Sequence, residues 1–274
     1  MLKRLFQRGR EAAATGPLVN GHTPRLPVGV RVYSIGDIHG RIDLLQAIER
    51  QISADAAASG QGLEHVVVYL GDYVDRGFES RRVIEHLLTA PLPGFTPVYL
   101  LGNHDIWLRA FARGDDVAES WIRFGGDATL LSYGVKLDLQ KPEAERFKDA
   151  QRILRDRLPP AHDTFLYRLE LAFGLGDYFF CHAGIRPDVP LDQQSEHDLC
   201  WIREPFLSWT GHAGKVVVHG HTVDERPVIR PNRIGIDTGA CWTNNLTCLV
   251  LEGESRRFLS TLPQRQPSDR REPG

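Results

Sequence analysis

At 274 residues, the chain is long enough for one large α/β domain or for two small ones. Hydrophobic residues make up 42% of it and charged residues 25%, as in ordinary soluble globular proteins. The formal net charge of −2 gives no bulk attraction to nucleic acid or to anionic lipid, so neither is an expected partner.

The two ends of the chain show no pattern of a folded element. The basic N-terminus has no apolar segment behind it, so we expect no secretory signal, and no apolar run reaches the ~18 residues of a membrane span. Glycine and proline interrupt residues 1–28, which predicts a flexible arm, and the polar segment 263–274 predicts a disordered tail. The four cysteines have no C-x-x-C spacing, which indicates reduced thiols in a cytoplasmic protein.

Residues 29–262 are predicted to form the domain, and its first part repeats a strand, a loop and a helix. Apolar, β-branched runs predict the strands, and apolar residues at helical spacing predict the helices. The predicted strands are 30–35, 66–70 and 98–101, and the helices are 41–52, 80–88 and a third through Trp107, Leu108 and Phe111. This β-α-β-α-β order implies parallel strands joined by right-handed crossovers.

The rest of the domain has a different order of predicted elements, first helices and then short strands. Residues from about 113 to 161 indicate a helical insertion, with a helix that ends at Gly126 and a charged surface helix over 144–158. Short alternating runs then predict the strands 165–171, 177–181, 216–219, 227–230, 234–237, 246–251 and 257–261. Because few helices separate these strands, we expect them to form a second sheet that is mixed or antiparallel.

Glycine and polar residues of metal-binding types follow directly on five of the predicted strands. The five segments are 36–40 (Gly-Asp-Ile-His-Gly), 71–77 (Gly-Asp-Tyr-Val-Asp-Arg-Gly), 102–105 (Gly-Asn-His-Asp), 182–184 (His-Ala-Gly) and 219–222 (His-Gly-His-Thr). In α/β sheets, ligands bind outside the carboxyl ends of the strands, so these segments are expected to meet at one edge. Five unrelated turns would rarely contain these residues together, and the pattern therefore predicts a polynuclear metal site.

Aspartate, asparagine and histidine suit Mn, Fe, Zn or Mg as ligands, and no thiolate belongs to the set. The candidate ligands are Asp37, His39, Asp72, Asn103, His182 and His221. Asp37 and His39 would bind one metal ion, and Asn103, His182 and His221 would bind the other. Asp72 would bridge the two. Two metal ions about 3.5–4 Å apart can generate a bridging hydroxide and stabilise both oxygens of an in-line displacement.

In this order, the five segments resemble the phosphoprotein phosphatase family of binuclear metallophosphoesterases, over roughly residues 30–252. The resemblance implies an α/β fold, the calcineurin-like metallophosphoesterase sandwich of two mixed β-sheets flanked by helices. It implies two divalent metal ions as cofactors, with Mn first and Fe or Zn as alternatives. The implied function is that of a metal-dependent phosphomonoesterase, a monomeric serine/threonine protein phosphatase of bacterial type that acts on phosphorylated proteins or peptides.

The resemblance also assigns roles beyond the metal ligands. His104 would protonate the leaving oxygen, a contribution of about 10²–10⁴-fold, and Asp75 would orient that histidine. Arg76 would hold the phosphoryl oxygens through its planar pair of donors. Arg203 is the candidate for a second clamp on the phosphate, and Arg186 is the alternative.

Three further residues have roles that the sequence leaves open or indirect. Asn103 is a candidate both for the metal site and for the substrate phosphate. His219 shares its side of a strand with His221 only if the strand continues, so it is either a ligand or a support for one. Asp237 is expected to tether a loop at the site rather than to bind metal.

Two departures from the eukaryotic pattern bear on the substrate class. Asp105 and Leu101 stand where eukaryotic protein phosphatases have Glu and Arg, as in the bacterial branch and in the symmetrical diadenosine tetraphosphate hydrolases. Asp75 argues against those hydrolases, which typically carry Ala there, so we favour the phosphatase. The hydrolase remains the alternative, and an inactive phosphatase-like binding module is the third hypothesis.

Overall fold

The computed structural model describes residues 21–59 and 62–262. Its strands are β1 (Val30–Ile35), β2 (Glu64–Tyr69), β3 (Phe95–Tyr99), β4 (Ala172–Leu175), β5 (Tyr178–Cys181), β6 (Val216–His219), β7 (Val228–Ile229), β8 (Arg233–Gly235), β9 (Thr247–Glu252) and β10 (Ser255–Ser260). Its α-helices are α1 (Ile42–Ala58), α2 (Ser80–Thr89), α3 (Asn103–Arg113), α4 (Ala118–Trp121), α5 (Asp127–Ser132), α6 (Glu143–Arg157), α7 (Pro160–Tyr167), α8 (Glu196–Trp201) and α9 (Ala240–Thr243).

These strands form two mixed sheets of five strands each. The first sheet has the order β10-β9-β1-β2-β3, and the second has the order β4-β5-β6-β8-β7. Strands β1, β2 and β3 are parallel to one another, and so are β5, β6 and β8. Helices α1 and α2 connect the parallel strands of the first sheet, because strands that run in one direction need a crossover. The predicted fold class is confirmed.

Apolar side chains of the two sheets pack on each other. Val32 of β1 and Leu249 of β9 lie in one buried cluster with Phe180 of β5 and Val218 of β6. The other face of the first sheet belongs to a second buried cluster that includes helix residues such as Ile48 of α1. This stacking brings the ends of strands from both sheets close together.

The last two strands lie in a different sheet from the one that the sequence predicts. The alternating runs at 246–251 and 257–261 are expected in the second sheet, but β9 pairs antiparallel with β1, and β10 pairs with β9. This prediction is wrong because a local pattern carries no information on the order of strands. Residues Thr247 to Leu251 are all buried, as suits an inner strand that is covered on both faces.

The predicted strand at 165–171 is also wrong, since α7 extends to Tyr167. Pro160 stands at the start of α7, where its fixed φ favours a helix and its missing N–H is not needed. Phe165 and Leu166 are buried in the cluster that contains the helix residues. The second sheet begins instead at β4.

The insertion at 113–161 is helical, as predicted, and it has a kink at Gly125. Helix α4 runs into a π-helical segment, Ile122–Gly126, in which Gly125 has a φ of 105°. The carbonyl of Gly125 accepts a hydrogen bond from the backbone N–H of Arg76 at 3.1 Å. A side chain at Gly125 would collide with the backbone of Arg76, so glycine allows the insertion to approach the strand-end loops.

The domain begins earlier in the chain than predicted. Leu26 is buried, and its N–H donates to a carbonyl in the turn between β9 and β10 at 3.0 Å. The carboxylate of Asp177 accepts the N–H of Arg25 at 2.9 Å. The predicted arm 1–28 is therefore too long at its C-terminal end, because these residues pack on the sheets. Residues 1–20 of that arm and the predicted tail 263–274 lie outside the described residues.

Across residues 21–59 and 62–262, no helix combines the length and the apolar character that crossing a membrane requires. The four cysteines all lie in these ranges, and none of them forms a disulfide. Cys181, Cys200 and Cys248 are buried.

Candidate metal centre

The predicted metal ligands lie together where strands of both sheets end. Asp37 and Asp72 follow β1 and β2 of the first sheet, and His182 and His221 follow β5 and β6 of the second. Asn103 stands at the start of α3, beyond β3. All of these side chains and that of His39 are buried. The stacking of the two sheets therefore assembles the cluster.

Asp72 occupies the middle of this cluster. Its Oδ2 lies 3.5 Å from Nε2 of His39 and 3.4 Å from Nε2 of His182, and its Oδ1 accepts the N–H of His104 at 2.9 Å. Burial alone would raise the pKa of Asp72, but the surrounding imidazoles, with His182 first, lower it below its usual value. Asp72 shares one group of closely spaced ligand atoms with His39 and His104, and another with His182 and His221. This position suits a bridging ligand.

The lone pairs around Asn103 fit a bound cation. Nδ1 of His182 donates to the carbonyl of Leu70 at 2.9 Å, and burial lowers the pKa of this histidine, so its Nε2 carries a lone pair. That Nε2 faces Oδ1 of Asn103 at 3.0 Å, which places two acceptors against each other. Nε2 of His221 is buried and has no hydrogen-bond partner among the described residues. A divalent metal ion would satisfy these atoms.

Two buried carboxyl groups add to the acidity of the site. Burial raises the pKa of Asp37, and the neighbouring Asp237 and Asp72 raise it further. Burial likewise raises the pKa of Asp237 to about 6. Asp37 accepts the N–H of His221 at 3.1 Å, while Asp237 accepts the N–H of Gly239 at 2.9 Å, as a loop tether would. Carboxylate and imidazole donors of this kind fit divalent ions such as Mn, Fe or Zn.

His104 is held in one orientation by a buried carboxylate. Its Nδ1 lies 2.6 Å from Oδ2 of Asp75, and both side chains are buried. The same Oδ2 accepts the indole N–H of Trp121 at 2.8 Å, and Oδ1 accepts the hydroxyl of Thr129 at 2.6 Å. Burial raises the pKa of Asp75 in spite of these hydrogen bonds. The contact with Asp75 leaves Nε2 of His104 to face the cluster.

Arg76 lies across the middle of the site. Its guanidinium lies 2.5 Å from Nε2 of His39 and 3.2 Å from Nε2 of His104. The same guanidinium lies over the indole of Trp242, 4.6 Å from the ring centroid. A planar cation in this position can hold two phosphoryl oxygens between a metal ligand and the acid.

The two candidates for a second arginine lie in different surroundings. Arg203 is exposed, and its charge lowers the pKa of His221, to about 2, after the larger effects of burial and His182. Arg186 donates to both carboxylate oxygens of Asp198, at 3.0 and 2.6 Å. Because Arg186 is already engaged there, Arg203 remains the candidate for the second clamp.

The sequence pattern of the calcineurin-like phosphoesterase family matches residues 30–247, which include every candidate ligand. The chain belongs to this family. The coarser part of the predicted resemblance, a calcineurin-like metallophosphoesterase, is thereby confirmed.

The proteins that this chain resembles are named either as nucleotide hydrolases or as protein phosphatases. The chain is 26% identical over 248 residues to an asymmetrical bis(5′-nucleosyl)-tetraphosphatase of Bacillus anthracis, which covers 84% of this chain and 94% of the relative. A solved structure of a protein proposed to be a diadenosine tetraphosphatase is 22% identical, with a TM-score of 0.57 and coverage of 86% and 98%. A protein serine/threonine phosphatase from Saccharomyces cerevisiae is 13% identical, with a TM-score of 0.52 and coverage of 88% and 82%. At these identities the solved structures support the fold alone.

Backbone strain in the phosphoesterase is concentrated at this site. Among the described non-glycine residues, positive φ angles occur at His39, Asp72, Asp75, Arg76, Asp188, His221 and Asn244. Most of these residues are candidate metal ligands, the partner of the candidate acid or the candidate phosphate clamp. Strained conformations of this type cost about 1–3 kcal/mol each and persist where the surroundings fix them, typically at functional sites.

Glycines in the motifs allow the loops of the phosphoesterase to approach each other. A side chain at Gly102 would collide with the carboxylate of Asp72, and one at Gly220 would collide with the carboxylate of Asp37. Both positions therefore need a residue without a Cβ atom. The glycines of the third and fifth segments allow the candidate metal ligands to pack closely.

His219 lies beside the cluster but outside both groups of closely spaced ligand atoms. Its Nδ1 lies 3.0 Å from the carbonyl oxygen of Gly220, and its ring meets that of Phe206 at 5.2 Å. Burial lowers its pKa to about 4, so the side chain is neutral. This placement favours a supporting role over metal binding, which stays a prediction.

The sequence assigns no role to three residues that support the candidate site. Asp105 accepts the N–H of Asp72 at 2.9 Å and that of Gly102 at 3.0 Å, so it ties the second and third segments together. In the sequence, Asp105 is the last residue of the third segment and a departure from the eukaryotic pattern, but the pattern does not indicate these hydrogen bonds. Trp121 and Thr129 belong to the insertion, where apolar spacing and helix ends predict helices but not hydrogen bonds to a distant carboxylate.

Proposed function

We propose that this metallophosphoesterase is a phosphomonoesterase that removes phosphate from serine and threonine side chains of proteins or peptides. The observation that carries the proposal is the buried pair of His104 and Asp75, 2.6 Å apart, beside the candidate metal ligands. An alkoxide is a strongly basic leaving group, so its departure gains most from a positioned acid. We further propose that the enzyme acts as a monomer on a phosphorylated polypeptide.

The proposed reaction uses two divalent metal ions. His39 and Asp37 would hold one ion, His182 and His221 the other, with Asp72 shared and the amide of Asn103 beside the second. When bound, the ions supply Lewis acidity at the phosphoryl group and bring the pKa of water towards neutrality. The family resemblance favours Mn, with Fe or Zn as alternatives.

The chain's own residues position the phosphate and the transferred proton. Arg76 spans the gap between His39 and His104, where its donors can hold phosphoryl oxygens and balance their charge. Asp75 accepts a hydrogen bond from Nδ1 of His104, so the proton for the leaving oxygen is carried at Nε2. As the bond between phosphorus and the leaving oxygen breaks, His104 gives this proton to the departing alkoxide.

The test compares two substrates with one preparation of the enzyme supplied with Mn. We expect a higher kcat/KM for phosphate release from a phosphothreonine peptide than for hydrolysis of diadenosine tetraphosphate. Hydrolysis of the dinucleotide without turnover of the peptide would contradict the proposal. No turnover of either, or of para-nitrophenyl phosphate, in protein that holds two metal ions by elemental analysis would support an inactive binding module.

Hydrolysis of a dinucleoside tetraphosphate is the second candidate function. The name of the Bacillus anthracis relative, which matches over most of both chains, favours it. The bond cleaved in such a substrate is a phosphoric anhydride, and its phosphate leaving group is a weak base. That reaction needs little help from an acid, so the pair of His104 and Asp75 is our reason for proposing the phosphomonoesterase first.

A further inference from the structure

A cavity of about 200 Å³ lies against the face of β6, β7 and β8 in the second sheet. Arg233, Gly235 and Asp237 line it, since alternate residues of an extended chain share one face. In the sheet, Gly235 pairs with His219 of β6 on one side and with Val228 of β7 on the other. A Cβ atom at Gly235 would lie 3.1 Å from the ring of His219, so the missing side chain keeps this space open. We call this space the β8 cavity.

Two arginines lie opposite each other in the lining of the β8 cavity. Arg230 and Arg233 flank the two-residue turn between β7 and β8, and the N–H of Arg230 donates to the carbonyl of Arg233 at 2.9 Å. The side-chain amide of Asn232 fixes this turn by donating to the carbonyl of Trp209 at 2.8 Å. Opposite residues of an antiparallel pair share a face, where two like charges are destabilising. A negative charge between the two guanidinium groups would remove this repulsion.

Arg233 is buried without a carboxylate on its guanidinium Nε. The side chain is 7% exposed, one terminal N–H donates to the carbonyl of Leu207 at 2.7 Å, and Nε has no hydrogen-bond partner among the described residues. Burial and then Arg230 lower the pKa of Arg233, and the opposing effect of Glu204 is smaller than both. The carboxylate of Glu204 accepts the hydroxyl of Ser208 at 2.5 Å. A buried cation without a matched counter-charge is costly, and a bound anion would supply that charge.

The acidic residues of the lining lie away from the arginines. Asp237 follows Arg233 by four residues of extended chain, which is roughly 13 Å. Asp224 is on the same side as Asp237, because its N–H donates to the carbonyl of Asp237 at 3.1 Å. Oγ1 of Thr222, Nε2 of His219 and Oδ2 of Asp237 are buried and have no hydrogen-bond partner in the part of the chain that the structure describes. An anion is therefore favoured at the arginine end of the cavity, and water suits the acidic end.

We propose that the β8 cavity is an anion-binding site, in which Arg230 and Arg233 hold the phosphate or carboxylate group of a small ligand. Planar guanidinium groups bind both kinds of group through paired N–H donors. Arg230 is exposed and can receive the group from solvent, while Arg233 lies at the inner wall. None of the candidate metal ligands lines the cavity, so this site is separate from the candidate metal centre and does not depend on the proposed function.

The experiment is equilibrium dialysis of the full-length, metal-loaded protein against radiolabelled inorganic phosphate. We expect the wild type to bind two phosphate ions, one at the metal centre and one in the β8 cavity. Arg230→Gln should weaken binding in the cavity about tenfold or more, because a charged hydrogen bond is lost. The matched control is Arg226→Gln, which removes the same charge from an exposed arginine of the same segment that does not line the cavity, and it should bind as the wild type does.

Chelation assigns each phosphate ion to its site. Removal of the metal ions should abolish phosphate binding at the metal centre and leave binding in the β8 cavity, which contains no candidate metal ligand. The binding that survives chelation should then be weakened by Arg230→Gln and not by Arg226→Gln.

Competition on the chelated protein identifies the source of the bound group. Sulfate is a free ion, propylphosphonate carries a similar group on a carbon chain, and acetate tests a carboxylate. Displacement of phosphate by sulfate alone would indicate a site for a free ion. Displacement by propylphosphonate or acetate as well would indicate a site for the acidic group of a larger ligand. Both results support the proposed anion site.

Three outcomes would overturn the proposal. If the wild type binds a single phosphate ion that is lost on chelation, the β8 cavity holds only water. If phosphate binding after chelation is the same in Arg230→Gln as in the wild type, the ion lies elsewhere. If Arg226→Gln weakens binding as much as Arg230→Gln, the net charge of the surface is responsible and not a site. None of these results depends on the substrate that the enzyme hydrolyses, so the proposed function is tested separately.

Discussion

The substitution Asp75→Asn removes the charge from the acid pair and keeps its geometry. Oδ2 of Asp75 accepts hydrogen bonds from His104 and Trp121, and Oδ1 accepts one from Thr129. In the variant, the amide oxygen can take the place of Oδ2, and the amide N–H₂ can donate to the hydroxyl oxygen of Thr129. The orientation of His104 is then preserved, and only the charge-assisted part of its hydrogen bond is lost.

The size of the loss follows from the difference between charged and neutral hydrogen bonds. A hydrogen bond to a charged group contributes roughly 1.5–3 kcal/mol, against roughly 0.5–1.5 kcal/mol for a neutral pair. For the bond between Asp75 and His104 the difference is about 1–1.5 kcal/mol, which is close to a tenfold loss of rate. The variant His104→Asn removes the acid itself and should cost the phosphoserine reaction about 10²-fold or more.

The assay measures kcat/KM of both variants on a phosphoserine peptide and on para-nitrophenyl phosphate, with metal content determined in each preparation. Because para-nitrophenolate departs readily without a proton, both variants should lose clearly less on that substrate. Equal losses on the two substrates, with unchanged metal content, would show that His104 and Asp75 only support the Asn103 loop. The reason for ranking the phosphatase above the nucleotide hydrolase would then be gone.

Three further predictions concern the metal ligands, the second arginine and the insertion. Chelation should abolish activity, and Mn should restore it. Elemental analysis should find less metal in Asp72→Asn than in Asp37→Asn, because Asp72 would bind both ions. Equal metal content in the two variants would exclude Asp72 as the bridging ligand. Arg203→Ala should lower kcat/KM about tenfold or more for a lost charged hydrogen bond, while Arg186→Ala should not, and the reverse result would reassign the clamp. Trp121→Phe should lower the free energy of unfolding in denaturant by about 1–3 kcal/mol, since it removes a donor to a buried carboxylate, and an unchanged midpoint would contradict that role.

The cluster of candidate metal ligands could be predicted from sequence because its members stand at the ends of strands. A parallel strand has one direction, so the residue that follows it must lie at the carboxyl edge of the sheet. Asp37 after β1 and Asp72 after β2 are placed in this way, as are His182 after β5 and His221 after β6. The positions of the strands and of the motifs are therefore sufficient to predict that these residues lie together.

The residues that support the acid could not be predicted in this way. Trp121 and Thr129 come 46 and 54 residues after Asp75 in the chain, and they reach it from helices of the insertion. Their contacts depend on how the insertion packs, and neither residue belongs to a motif or to a strand end. For the same reason, the pairing of β9 with β1 could not be predicted. The alternation of apolar and polar residues indicates a strand, but it does not show which of the two sheets the strand joins.

Residues from both sheets and from the insertion form the candidate site, and their contacts hold its strained backbone in place. Asp72 from the first sheet meets His182 from the second, and the insertion fixes Asp75 through Trp121. Metal ions bound between ligands of both sheets would favour the stacked arrangement over any state in which the sheets separate, because binding stabilises the state that binds. The backbone of Asp72, Asp75 and Arg76 is left-handed, and contacts from both sheets and from the insertion hold it in this strained conformation at the candidate site.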